Sequence, residues 1–134
     1  MAIKVVAEQE FQVGVPTLVE GPSPTPPYAV FFEDDGDTGY LYGLDTSRSE
    51  NPIVDAVQIY NVASVADKHL PSLVQLAWSV DDMKAVLLIN EYPHAVFDFE
   101  SQHAYCRTGF PPPSSTGWTK RGHQWDEKAL DLFR

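Results

Sequence analysis

Four carboxylates fall within five positions, at Glu33, Asp34, Asp35 and Asp37. Glu33, Asp35 and Asp37 stand at i, i+2 and i+4, a spacing that opens many calcium loops. An EF-hand loop also needs glycine at its sixth position and glutamate at its twelfth. Counted from Glu33, those positions hold Thr38 and Leu44, so the pattern fails. Carboxylates on a tight turn also fan outward instead of converging. The cluster reads as a solvated turn, and as an acidic docking surface if it has a function. Tyr40 and Tyr42, just beyond it, would add apolar contact beside the charge. Asp34, Asp35, Asp37, Tyr40 and Tyr42 are therefore the expected partner-binding residues.

A second set of chemically able residues is His94, Asp98, His103 and Cys106. An aspartate can orient a histidine beside a nucleophilic thiol. On a strand, however, positions i and i+4 lie about 13 Å apart at ~3.3 Å per residue, too far for a hydrogen bond. His103, Cys106 and His123 are ligand types suited to zinc, but a structural site takes four protein ligands and His94 would have to complete it. A buried structural thiol and surface histidines are the plainer reading. Neither a glycine-rich phosphate loop nor a Gly-x-Ser-x-Gly elbow occurs. We assign no catalytic residue, metal or cofactor from the sequence. A pocket near His94, Asp98, His103 and Cys106, serving a small enzyme or ligand-binding domain, is the alternative to a binding protein.

These residues must be positioned by β-structure. Tyr28–Asp45 reads as two apolar runs joined by Asp35-Gly36, a pair suited to a type I′ turn. Ser72–Ser79 and Met83–Asn90 read as a second hairpin. Ala85–Ile89 is apolar on both faces and is expected at the centre of a sheet, with Ala95–Phe99 as its antiparallel neighbour. Ile53–Val62 is rich in β-formers, and Ile3–Ala7 and Phe11–Val15 suit short strands. Four prolines in Gly21–Pro27 predict an extended loop, and 101–122, with its triple proline, reads as irregular. Asp126 is placed to cap a helix over 126–133 whose apolar stripe is Ala129, Leu130 and Phe133. The expected fold is α+β and predominantly antiparallel β, a meander of about six strands with a short C-terminal helix.

With 134 residues the chain suits a single domain, 1–134, able to bury a core without disulfides. Its net charge of −10 repels phosphates and anionic lipid, which disfavours nucleic acid and membrane partners and suits a basic protein. The charge is uneven: 16 acidic against 4 basic residues precede position 101, and 3 against 5 follow it. A lone cysteine, no signal peptide and no apolar run near the ~20 residues of a membrane span suggest a cytoplasmic protein.

The stretches AVFFEDDGDTGYLYGLD (29–45) and LLINEYPHAVFDFESQHAYCRTGFP (87–111), with IVDAVQIYNV between them and HQWDEKALDLF at the end, resemble a small bacterial family catalogued as domain of unknown function 2251. The resemblance spans most of 22–133 and brings no catalytic residues with it. Small acidic bacterial proteins are often immunity proteins for contact-dependent toxins, and by that analogy the expected function is non-enzymatic, immunity-type inhibition of a basic toxin domain.

Overall fold

The computed structural model describes residues 1–114 and 117–134. Among the described residues nine strands form two antiparallel sheets. They are β1 (Lys4–Phe11), β2 (Thr17–Pro22), β3 (Tyr28–Asp34), β4 (Thr38–Asp45), β5 (Ile53–Asn61), β6 (Ser72–Trp78), β7 (Lys84–Ile89), β8 (Tyr92–Asp98) and β9 (His103–Cys106). One sheet has the order β1-β6-β7-β8-β9 and the other β2-β3-β4-β5. The expectation of a mostly antiparallel β fold holds. The six-strand meander does not, because β1 leaves its chain neighbour and pairs with β6, with Glu8 opposite Gln75.

Every residue of β7 is buried, as its unbroken apolar run requires, and β7 sits third of five with β8 antiparallel beside it. Its two faces meet two separate cores. Ala85, Leu87 and Ile89 join Phe32, Leu41, Val57, Trp78 and Phe97 between the sheets. Val86 and Leu88 join Ala77, Val96, Ala129 and Phe133 on the outside, where the C-terminal segment covers the sheet. That segment is a 3-10 helix over Glu127–Phe133, capped as expected by Asp126, whose carboxylate accepts the Lys128 amide.

The sheets approach closely where the four-stranded one offers glycine. A Cβ on Gly43 would stand 2.4 Å from the Phe97 ring, and one on Gly39 would stand 2.5 Å from the Tyr60 ring. The inward rows of β3 and β4 are thus Val30 and Phe32 against Leu41 and two glycines; Gly43 leaves room for Phe97 from across the sandwich, and Gly39 for the Tyr60 ring of the neighbouring strand β5. The region 101–122 is less irregular than its composition suggests. It contains β9, which pairs with β8 from Asp98↔His103 to Ala95↔Cys106. The loop expected at Gly21–Pro27 begins later, since Gly21 and Pro22 still pair in β2. Ser115 and Thr116 of the polar run lie outside the described residues.

Candidate functional site

The acidic hairpin is present, but its turn is shifted by one residue. The Asp35 amide donates to the Thr38 carbonyl, so Gly36 and Asp37 are the central pair. Of the two only Gly36 has positive φ, at 100°. A positive φ at the first central position is that of a type II′ turn, not type I′. Asp35 Oδ1 accepts the amides of Asp37 and Thr38, which hold its carboxyl below the usual carboxylate range. Asp35 and Asp37 are exposed.

Asp34 departs from expectation. It is 1% exposed and points inward with Val30 and Phe32. Its carboxylate accepts the amides of Gly14 and Gly36, each at 2.8 Å, and the Tyr60 hydroxyl at 2.6 Å. It ties two turns to β5 and offers nothing to a partner. Burial, followed by the Asp34 hydrogen bond and charge, raises the Tyr60 phenol, which therefore stays a donor.

Tyr40 and Tyr42 do lie on the outward face of the four-stranded sheet. Register builds that face in rows. Glu20, Phe31, Tyr42 and Ala56 stand side by side, and Leu18, Glu33, Tyr40 and Gln58 form the next row. Phe31 and Tyr42 stack at 4.5 Å, Tyr40 and Tyr42 at 6.0 Å. The Tyr42 hydroxyl donates to Glu33. Burial raises both tyrosine pKa values, with Glu33 adding to the effect at Tyr42 and Cys106 and Asp35 adding at Tyr40. In 17–61 the sole cationic residue is Arg48, so this aromatic face has an acidic rim with little compensating charge.

His94, Asp98, His103 and Cys106 do not converge. His94 is the extra residue of a β-bulge, since Ala95 opposes Leu87 while Pro93 opposes Leu88. Its ring lines a hollow with Val13, Tyr60, Leu70 and Ile89 at one end of the sandwich. Burial, and then the Arg107 charge, depress its pKa to about 4. Asp98, at the far end of β8, accepts the amides of Glu100 and Ser101 and so forms the following turn. His103 stands opposite Asp98, beside Tyr105. Cys106 is fully buried between the sheets, near the Thr108 hydroxyl and the Phe110 carbonyl. Among the described residues no three His, Cys, Asp or Glu side chains gather around a common point.

Residues 11–134 match the model of a family described as an uncharacterized protein conserved in bacteria (DUF2251). The chain belongs to that family. An uncharacterized protein of Haemophilus influenzae is 42% identical to this family member over 105 residues, which cover 73% of the chain. The chain spans 65% of that relative's length. No solved structure matches it. No helix among the described residues is long and apolar enough to cross a membrane.

This DUF2251 chain also holds a polar cluster that spacing alone does not reveal. His123 is 2% exposed, and its Nε2 lies 2.9 Å from Asp55 Oδ2. Its Nδ1 faces the Pro111 carbonyl. Both partners are acceptors, a setting that favours the ring with both nitrogens protonated. Burial alone would lower its pKa, but the bonds to Asp55 and Pro111 and the Asp55 charge outweigh burial and raise it. At Asp55 burial is likewise outweighed, here by hydrogen bonds from His123 and Thr119, and the pKa falls. The Thr119 hydroxyl donates to the same Asp55 oxygen and accepts the Ala104 amide. The cluster fastens the segment after β9 across β5 and β9. Its one local signal is an acid inside the otherwise apolar run Ile53–Val57.

Proposed function

We propose that this protein is a non-enzymatic binding protein that docks a basic protein partner on the outward face of its four-stranded sheet. An immunity-type inhibitor of a basic toxin domain fits that description. The observation that carries the reading is the contrast between the two outer faces. The five-stranded sheet is covered by the C-terminal 3-10 helix, whereas Phe31, Tyr40 and Tyr42 stand stacked and part-exposed on the other sheet. Contiguous apolar surface with a polar rim is a mark of interaction sites, and tyrosine is a frequent anchor there. Glu20, Glu33, Asp35 and Asp37 surround or interrupt that surface, which favours lysine and arginine opposite. Dispersal of His94, Asp98, His103 and Cys106 supports binding over catalysis at those residues.

The test places a photoreactive phenylalanine analogue at Tyr42 and, as control, at Tyr92, which lies on the other sheet. Crosslinking is carried out in a bacterium carrying the gene. The expected product is one basic protein captured from position 42 and not from 92. With that protein purified, Asp35→Asn/Asp37→Asn slows association at least severalfold at low salt, and the difference shrinks near the ionic strength where the Debye length falls to about 8 Å. Equal capture at both positions, an acidic partner, or an unchanged association rate overturns the proposal.

A further inference from the structure

The second half of the charge asymmetry has a structural counterpart on the opposite side of the molecule. A cleft of about 770 Å³ opens between the outward side of β9 and residues 120–127. That volume lies within the range of small-molecule sites, ~300–1,000 Å³. His103 and Tyr105 line it from β9, and Lys120, Arg121, Gln124 and Trp125 from the returning segment.

The two carboxylates that also line this cleft are already engaged. Asp126 accepts the backbone amide of Lys128, and Glu127 accepts both the Trp125 indole N–H and the Arg107 guanidinium. The cations are not: Lys120 and Arg121 are exposed and form no ion pair among the described residues. With Glu127 offset by Arg107, two cations share the cleft with one carboxylate, that of Asp126, which leaves a positive balance there on a chain of net charge −10. Its other surfaces are flat rings held in place. The His103 and Tyr105 rings pack at 4.2 Å. Trp125 is held by the Arg107 guanidinium, which lies 4.0 Å from the indole centroid and 4.5 Å from that of Tyr92. Burial, and then the His123 charge, lower the His103 pKa against the pull of Asp98, which favours the uncharged ring.

We infer that this cleft binds a small anion, a carboxylate or phosphate ester carried on a planar aromatic or heteroaromatic ring. Lys120 and Arg121 meet the anionic group, and the ring packs against Tyr105 and Trp125. The site is separate from the docking face and does not depend on it.

The experiment is a titration of isotope-labelled protein, followed by amide and indole resonances, with four probes: AMP, benzoate, inorganic phosphate and adenosine. At least one of the two ring-bearing anions, AMP or benzoate, is expected to produce saturable shifts confined to His103–Tyr105 and Lys120–Glu127. Which of them does so distinguishes a phosphate from a carboxylate ligand. Phosphate and adenosine, each carrying half of the chemistry, are expected to bind at least tenfold more weakly than AMP if AMP is the binder. Lys120→Ala/Arg121→Ala keeps the fold, because both side chains are exposed and unpaired, and is expected to weaken binding at least tenfold. Absence of saturable shifts with both AMP and benzoate, or affinity unchanged in the double variant, overturns the inference.

Discussion

The His123–Asp55 pair permits a quantitative test of how the C-terminal segment is held. The perturbation is a double-mutant cycle of Asp55→Asn, His123→Gln and the two together. Both partners are largely withdrawn from water, with side-chain exposures of 3% for His123 and 14% for Asp55. Removing one member of such a pair strands the other charge, at a cost of about 3 kcal/mol or more. The double variant strands nothing, so its loss falls short of the sum of the singles by about 2 kcal/mol. Proton linkage gives a second readout. His123 has a raised pKa in the fold, so its contribution is complete below its ordinary value near 6.5 and is lost as pH rises through the raised value. Asp55 has a lowered pKa, so its contribution is complete above its ordinary value near 3.8 and is lost as pH falls through the lowered one. The advantage of the wild type over either single variant is therefore largest between about pH 4 and 6.5 and narrows on both sides. Urea unfolding monitored by tryptophan fluorescence across pH measures it. Hydrogen exchange at the Ala104 and Cys106 amides, which donate to Thr119 Oγ1 and the His123 carbonyl, reports local release of the segment. Additivity within ~0.5 kcal/mol together with unchanged exchange at those two amides refutes the reasoning.

Three further outcomes are expected. Gly43→Ala drives a methyl group to 2.4 Å from the Phe97 ring at the centre of the sandwich, so unfolding free energy drops by about 1–3 kcal/mol; a loss below ~0.5 kcal/mol would mean that the sheets separate easily there. His94, depressed to about 4, stays neutral in the fold while the unfolded chain takes up a proton below about 6.5, so stability declines as pH falls from 6.5 towards 4, by up to about 3 kcal/mol. His94→Phe should flatten that part of the pH–stability curve, and an unchanged slope counts against the shift. Asp34→Ala strands three donors and should cost about 2–4 kcal/mol, whereas Asp35→Asn/Asp37→Asn should stay within ~0.5 kcal/mol by thermal or urea unfolding; similar losses in the two variants would mean that Asp34 is not the buried member.

Local pattern carried much of the strand content. Ala85–Ile89 is apolar without interruption because both of its faces are covered, and that run is visible in the sequence itself. Hairpins such as β3–β4 and β6–β7 are legible because their partners are joined by a short turn. Pairing of β1 with β6 is not, since nothing within Lys4–Phe11 specifies a partner more than sixty residues away. The division into two sheets depends on that same distant choice. β9 was obscured by its length: four residues amid Pro, Gly and Ser give period 2 too little room. At the candidate site, Tyr40 and Tyr42 followed from alternation, which fixes the face of every strand residue. Asp34 defeated the same reasoning. Its composition says solvent, but its register continues Val30 and Phe32, and two amides and a phenol make burial tolerable. His123 and Asp55, 68 positions apart, meet through the tertiary fold and leave no spacing to read.

The pairing of β1 with β6 also sets a timetable during synthesis. β1 is translated first, yet its neighbour in the sheet begins at Ser72. At ~5–20 residues per second, β1 waits roughly 3–14 seconds after emerging before that neighbour exists. The β2–β5 sheet, whose strands follow one another directly, is complete by then and can offer Val30, Phe32 and Leu41 as an uncovered apolar surface. The nascent chain thus passes through a half-sandwich with both an unpaired strand and an open core, the interval in which a chaperone would find most to hold and a second nascent copy most to pair with.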